Sequence, residues 1–82
     1  MGNFFINHYG EKAQMQQLAK EAIELAHAIN DFLDAKDTLD HVQEEMGDCQ
    51  NLIEQFSEHW NDGKIYVVVE EKRKRQMQRI KK

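Results

Sequence analysis

Two stretches of the chain decide its fold: residues 18–32 are LAKEAIELAHAINDF and residues 42–56 are VQEEMGDCQNLIEQF. In both, apolar side chains recur at steps of three and four residues, the spacing of one face of an α-helix. The two apolar stripes are Leu18, Ala22, Leu25, Ile29 and Phe32, and then Val42, Met46, Cys49, Ile53, Phe56 and Trp60. We therefore predict amphipathic helices at residues 11–33 and 37–60, with Asp37 or Thr38 as the N-cap of the second.

The segments around these helices complete an all-α prediction. Only residues 34–36 connect the two helices, and so short a link makes them antiparallel neighbours. Residues 65–69 have strand-type composition, but helix formers dominate from Glu70 onward, so we predict a third helix at 64–80. Residues 1–10 are expected to form an irregular arm or a very short helix. The predicted fold is a single domain, residues 1–82, built as an antiparallel helical hairpin plus a C-terminal helix.

The size and composition of the chain favour self-association and a cytoplasmic setting. An 82-residue chain buries a small core, and with one cysteine it has no disulfide to reinforce that core. We expect a homodimer or homotetramer in which a partner subunit completes a four-helix-bundle-type core. The lone Cys49 fits a reducing compartment. The sequence shows neither a basic signal-peptide start nor an apolar run approaching about 18 residues, so we expect no membrane association.

Charge is distributed unevenly along the chain. Residues 1–71 carry all 15 acidic side chains and four of the 11 basic ones, whereas residues 72–82 carry seven basic side chains and no acidic one. An acidic body with a basic tail suits a site that binds a cation together with an anion.

The acidic residues of the two helices follow a common pattern at an offset of 24 residues. Glu21 and Glu24 on the first helix correspond to Glu45 and Asp48 on the second, and each pair lies on the same flank of its apolar stripe. When two antiparallel helices face each other through their stripes, equal flanks lie on the same side of the interface. We therefore expect the four carboxylates to converge into one cluster.

Such a cluster points to a bound divalent cation. Four neighbouring carboxylates repel one another unless something offsets their charge, and carboxylate oxygens are preferred ligands of Mg²⁺ and Mn²⁺. The chemistry expected there is metal-assisted attack of water on a phosphate ester or anhydride. An acidic pair on one helix is usually plain solvated surface, and it is the second pair at matching phase that favours a metal site.

The two acidic motifs also carry a family resemblance. Glu21-Ala22-Ile23-Glu24 and Glu45-Met46-Gly47-Asp48, separated by 20 residues, resemble the metal-binding helices of the MazG-like all-α NTP pyrophosphatase superfamily. The segment His8-Tyr9-Gly10 and the later Gln17 are similar to small phage- and Firmicute-type members, and the likeness covers roughly residues 8–80. The chain departs from the pattern at Lys20, where many members place another glutamate. It is also short, so that any segment covering the substrate must come from the arm, the tail or a partner.

The resemblance implies an enzyme and assigns roles to the carboxylates. It implies Mg²⁺-dependent hydrolysis of a nucleoside triphosphate to the monophosphate and pyrophosphate, in housecleaning or nucleotide-pool control, with Mn²⁺ as a substitute metal. Glu21, Glu24, Glu45 and Asp48 would bind the metal. Glu24 or Glu21 would orient or deprotonate the attacking water, with Glu24 favoured.

Residues outside the acidic cluster are candidates for substrate binding. Lys72, Arg75 and Arg79 share one face of the third predicted helix and suit triphosphate capture, although a solvated C-terminus favoured by the helix dipole explains them equally well. Nucleic-acid binding is disfavoured because the acidic body would repel a phosphate backbone. Asn51 lies one turn beyond Asp48 and either contacts the substrate or is a surface amide.

A non-catalytic function is the alternative. The same chain would suit a small oligomeric helical regulator whose acidic ridge and basic tail bind partners. This alternative predicts no effect of Mg²⁺ on stability, whereas a four-carboxylate metal site predicts stabilisation by metal binding.

Overall fold

The computed structural model describes residues 2–81, which form four helices and the segments that connect them. Met1 of the predicted arm and Lys82 of the basic tail lie outside the described residues. The helices are α1 (Phe4–Tyr9), α2 (Glu11–Leu33), α3 (Leu39–Trp60) and α4 (Lys64–Ile80), and residues 2–81 include no strand. The all-α prediction is confirmed for this range. Helices α2 and α4 span the predicted residues.

The N-terminal arm contains a helix and is not irregular at residues 4–9. The side chain of Asn3 caps α1 by accepting a hydrogen bond of 2.9 Å from the amide of Phe5. Ile6 is almost completely buried, so α1 is anchored against the rest of the chain. Gly10 separates α1 from α2 with a φ of 96°, a conformation that glycine adopts without steric cost. This sharp turn lets α1 fold back onto the hairpin.

Helix α3 starts two residues later than predicted because Thr38 is its N-cap. The Thr38 hydroxyl accepts a hydrogen bond of 3.2 Å from the amide of His41, and the Thr38 backbone is extended. Asp37 therefore stands outside the helix, where its carboxylate accepts from the Thr38 amide at 2.7 Å. At the other end, Asn61 closes α3 in the left-handed conformation that asparagine tolerates.

The core lies between the two long helices and under α1. Helices α2 and α3 pack as the predicted hairpin, and α1 packs against both. The buried apolar side chains are Ile6, Ala28, Val42, Cys49, Leu52 and Phe56. Val42, Cys49 and Phe56 belong to the predicted stripe of α3, whereas Ala28 and Leu52 lie on the flank that α1 covers. The contact with α1 thus shifts the centre of the core toward that flank.

The other flank of the hairpin is not covered by any helix among the described residues. Part of the predicted core is therefore exposed, which corrects the prediction. Phe32, Met46, Ile53 and Trp60 were expected to be buried and are 39–48% exposed. At about 100° per residue, one side of the hairpin carries Met15 and Ala22 from α2 together with Met46 and Ile53 from α3. We call these four residues the open apolar face. It lies opposite the side that carries α1 and the carboxylates.

Helix α4 extends away from the other three helices. Its described side chains include no buried residue, and the main packing contacts join only α1, α2 and α3. The radius of gyration is 15.5 Å, whereas a compact domain of this length has about 12 Å. The single chain is therefore a three-helix body with a projecting fourth helix. Among residues 2–81, no helix combines the length and apolar character needed to cross a membrane.

Candidate metal centre and adjoining pocket

Three of the four predicted metal ligands meet at one point of the hairpin. Glu21 and Glu24 of α2 and Glu45 of α3 each offer a carboxylate oxygen, and these oxygens lie within 4.8 Å of one another. The spacing of three residues places Glu21 and Glu24 on the same side of α2. The antiparallel packing of α3 then brings Glu45 opposite them. This arrangement can ligate a hard cation.

The fourth predicted ligand, Asp48, lies at the edge of this cluster. Asp48 is exposed, and it lines the same pocket as Glu21. Its charge is near enough to contribute to the raised pKa of Glu21. The structure therefore brings all four carboxylates to one side of the hairpin, with three tightly grouped and Asp48 beside them.

Two carboxylate oxygens in the cluster are buried without a partner. Glu21 is only 9% exposed, and Gln17 Nε2 donates a hydrogen bond of 3.0 Å to its Oε1. Glu21 Oε2 and Glu45 Oε2 are both buried, and neither accepts a hydrogen bond from the described residues. A buried, unpaired carboxylate oxygen is unfavourable. A cation bound by these carboxylates would remove that penalty, so the donor set fits a divalent metal.

The electrostatics of Glu21 reflect this crowding. Burial raises the pKa of the Glu21 carboxyl above 4.5, and the neighbouring Glu24 carboxyl and the charges of Asp48 and Glu45 raise it further. The pKa of the neighbouring Cys49 thiol is raised by burial and by the same carboxylates. A thiol with a raised pKa is a poor nucleophile, which agrees with its place in the core.

A histidine connects the cluster to the start of α3. His41 Nε2 lies 3.3 Å from Glu45 Oε1, and His41 Nδ1 contacts Asp37 Oδ2 at 2.5 Å. The hydrogen bond with Asp37 raises the pKa of His41 and lowers that of Asp37. From the sequence we expected neither contact, although the spacing 37, 41 and 45 is that of one helical face. His41 helps to hold the Glu45 side chain in place.

A pocket of about 340 Å³ adjoins the carboxylates and extends under α1. Its walls combine two aromatic side chains, four amide side chains, two carboxylates and a leucine: Phe5, Tyr9, Gln14, Gln17, Glu21, Asp48, Asn51, Leu52 and Gln55. Asn51, a predicted substrate-binding residue, is part of this wall. So are Glu21 and Asp48, which makes the pocket and the carboxylate cluster one continuous site.

The amide side chains of the pocket form a hydrogen-bonded chain. Gln14 Nε2 donates to Gln55 Oε1 at 2.9 Å, and Gln55 Nε2 donates to Asn51 Oδ1 at 3.4 Å. We did not predict the two glutamines from the sequence. The signal was nevertheless present: Gln14 lies seven residues before Glu21 and Gln55 seven residues after Asp48. Both glutamines therefore lie near the carboxylate flank.

The predicted phosphate-binding residues of α4 are not at this site. Lys72, Arg75 and Arg79 are exposed on α4, and the described lining of the pocket includes none of them. Within one chain, the site therefore consists of α1, α2 and α3 alone. The chain matches no family model, no curated protein and no solved structure.

Proposed function

We propose that this protein hydrolyses a nucleoside triphosphate, an NTP or dNTP, to the nucleoside monophosphate and pyrophosphate with Mg²⁺ as cofactor. The observation that carries the proposal is the grouping of one oxygen each from Glu21, Glu24 and Glu45 within 4.8 Å, together with the buried, unpaired oxygens of Glu21 and Glu45. Solvated acidic side chains have no reason to leave oxygens buried and unsatisfied. Carboxylates that ligate a metal have such a reason, because the bound cation pairs with their buried oxygens.

The proposed roles of the carboxylates follow from their surroundings. Glu21, Glu24, Glu45 and Asp48 hold the metal, which when bound polarises a phosphate oxygen and lowers the pKa of water, and Mn²⁺ is a suitable substitute. Glu21 is buried and tied to Gln17, so it is suited to ligation. Glu24 is half-buried and accessible to water. Glu24 therefore orients and deprotonates the attacking water.

The resemblance to the MazG-like superfamily supplies the nucleotide and pyrophosphate parts of the proposal. The pocket beside the carboxylates supports them, because its volume falls in the range of small-molecule sites. Its position lets a substrate reach from the pocket to the metal. A reducing cytoplasmic setting agrees with the single unpaired Cys49.

The proposed enzyme is a homodimer or homotetramer. The residues of the open apolar face (Met15, Ala22, Met46 and Ile53) are exposed, and α4 lacks buried side chains in the single chain. A second groove of about 310 Å³ lies at the start of α4, lined mainly by Trp60, Ile65, Val68 and Val69. A second copy packed on these surfaces completes a bundle-type core. In that assembly α4 is available to bring Lys72, Arg75 and Arg79 to a neighbouring subunit's substrate.

A regulatory interaction protein is the second candidate function. The observation that favours it is α4, which combines an apolar start with a basic end and takes no part in the main packing contacts among the helices of residues 2–81. Such a helix suits a partner protein as well as a second copy. This candidate gives no reason for the buried, unpaired oxygens of Glu21 and Glu45, so the enzyme is preferred.

The test is an assay of nucleotide hydrolysis with a matched control. Purified protein with Mg²⁺ is incubated with a panel of NTPs and dNTPs, and pyrophosphate release is measured. Glu24→Gln is expected to lower turnover by about 10²-fold or more, the usual effect of losing a general base. Glu44→Gln changes an exposed carboxylate on α3 outside the cluster and leaves turnover intact. Absence of turnover, with Mg²⁺ affinity unchanged in Glu24→Gln, refutes the proposal.

A further inference from the structure

The part of the pocket away from the carboxylates is lined by a different set of side chains. It is lined by aromatic rings from α1 and by amide side chains from α2 and α3. None of its lining residues is a lysine or an arginine. A phosphate group would find no cationic side chain there, so this part of the pocket suits an uncharged group.

The amide chain leaves polar groups available to a ligand. Gln55 is engaged at both ends, since its carbonyl oxygen accepts from Gln14 and its amino group donates to Asn51. Gln14 Oε1 and Asn51 Nδ2 take part in no hydrogen bond among the described side chains. Gln14 and Gln55 are 9% and 6% exposed, so the chain is held in place by the surrounding helices. An acceptor on Gln14 and a donor on Asn51 thus remain available in the wall of one pocket.

The aromatic wall is positioned by α1. Phe5 and Tyr9 are four residues apart, so both lie on the same side of this short helix. The buried Ile6 fixes α1 against the hairpin, while Phe5 and Tyr9 stay 48% and 60% exposed. Large aromatic rings kept partly open at a pocket are suited to stacking on a planar ligand.

We propose that this part of the pocket binds the nucleobase of the substrate, with Phe5 and Tyr9 stacking on the ring and Gln14 and Asn51 hydrogen-bonding to its edge. This inference rests on the proposed function. Nucleobases are planar and carry adjacent donors and acceptors on one edge, which an amide group pairs with. The base enters under α1, and the triphosphate then lies toward Glu21 and Asp48, which border the same pocket.

The test monitors the side-chain amides directly by NMR. The ¹⁵N-labelled full chain is titrated with uridine, cytidine, adenosine and guanosine, and separately with pyrophosphate and Mg²⁺ as a probe that has no base. At least one nucleoside is expected to shift the side-chain amide signals of Gln14 and Asn51. Absence of such a shift with all four nucleosides overturns the inference.

Matched variants separate the base site from the metal site. Tyr9→Ala is expected to weaken nucleoside binding by about fivefold or more, the usual effect of losing one stacking ring, without changing the affinity for Mg²⁺-pyrophosphate. Tyr66→Ala removes an exposed aromatic ring on α4 and leaves both affinities unchanged. An equal loss of both affinities in Tyr9→Ala overturns the inference.

The two proposals fail in different ways. Nucleoside-induced shifts without any hydrolysis refute the enzyme and keep the base site. Hydrolysis without any such shift keeps the enzyme and refutes the base site.

Discussion

Gln14 and Gln55 are 41 residues apart in the chain and share a buried hydrogen bond of 2.9 Å that joins α2 to α3. This bond lies in the wall of the pocket that the carboxylates of Glu21 and Asp48 also border. It joins α2 to α3 beside the pocket. The packing of these two helices and the shape of the pocket therefore depend on the same pair of residues.

The losses of stability from replacing the two glutamines are expected to be non-additive. Gln14→Met or Gln55→Met leaves a buried amide without its partner, which costs about 1–3 kcal/mol in the free energy of unfolding. The double variant removes both polar groups, so its loss should fall well below the sum of the single losses. Urea unfolding of the four proteins measures this coupling. Strictly additive losses contradict the buried bond.

Glu21→Gln is expected to stabilise the metal-free protein at neutral pH. The pKa of Glu21 is raised above 4.5, so its ionised form is disfavoured in the folded state. That disadvantage is fully present above the folded pKa and disappears as the pH falls through it toward 4.5. The melting temperature of Glu21→Gln should therefore exceed that of the parent at pH 7.5, and the gap should close with acidification. A gap that does not change with pH contradicts the raised pKa.

Divalent metal is expected to stabilise the fold through the carboxylate cluster. Mg²⁺ or Mn²⁺ at ten times its dissociation constant adds about 1.4 kcal/mol, which corresponds to about 6–11 °C in melting temperature for a domain of this size. Glu24→Gln should lose most of this shift, and Glu44→Gln should keep it. A melting scan with and without metal distinguishes the enzyme from the interaction protein. If metal does not change the melting temperature of the parent chain, the result favours the interaction protein.

The pKa of His41 should lie above 6.5 and depend on Asp37. Their hydrogen bond raises the pKa of the imidazole and lowers that of the carboxyl. The stabilisation from His41 is fully present below pH 6.5 and lost as the pH rises through its folded pKa, whereas that from Asp37 is lost as the pH falls below 3.8. NMR titration of the His41 ring measures the effect. Asp37→Asn keeps the acceptor for Thr38 and should lower the His41 pKa; an unchanged value contradicts the pairing.

Self-association is expected to depend on one side of α4. Val68 borders the apolar groove at the start of α4, whereas Val67 lies outside its lining and is 53% exposed. Val68→Lys places a charge in the proposed interface and should weaken the dimer or tetramer by about tenfold or more, because an unpaired buried charge is costly. Val67→Lys is the matched control and should have little effect. Analytical ultracentrifugation measures both, and a monomeric parent chain contradicts the proposal.

Much of the site was accessible from local patterns. The 24-residue correspondence predicted that Glu21, Glu24, Glu45 and Asp48 meet on one side of an antiparallel hairpin, and the structure brings them there. The helix spacing and the short link were sufficient for this, because phase and chain direction fix which flanks coincide. Asn51 was found in the same way, one turn beyond Asp48.

The pocket was not predicted because it depends on α1. Residues 4–9 are too few for a periodic pattern to indicate a helix, and this one is stabilised by the Asn3 cap and by the burial of Ile6 against the hairpin. Once α1 packs on the carboxylate flank, Gln14 and Gln55 are buried and Phe5 and Tyr9 become a wall. These are long-range contacts that periodicity does not encode.

By itself the sequence determined the helices, their antiparallel pairing and the side of the hairpin on which the acidic residues lie. These follow from the spacing of the apolar residues, the short link between the helices and the 24-residue offset of the acidic pairs. The tertiary structure alone decided which flank is covered. It packed α1 on the flank of the hairpin that carries Glu21 and Asp48, left Met46 and Ile53 exposed on the opposite side and kept α4 away from the site. These outcomes depend on which surfaces find a partner in three dimensions, and that is settled by the packing of whole elements.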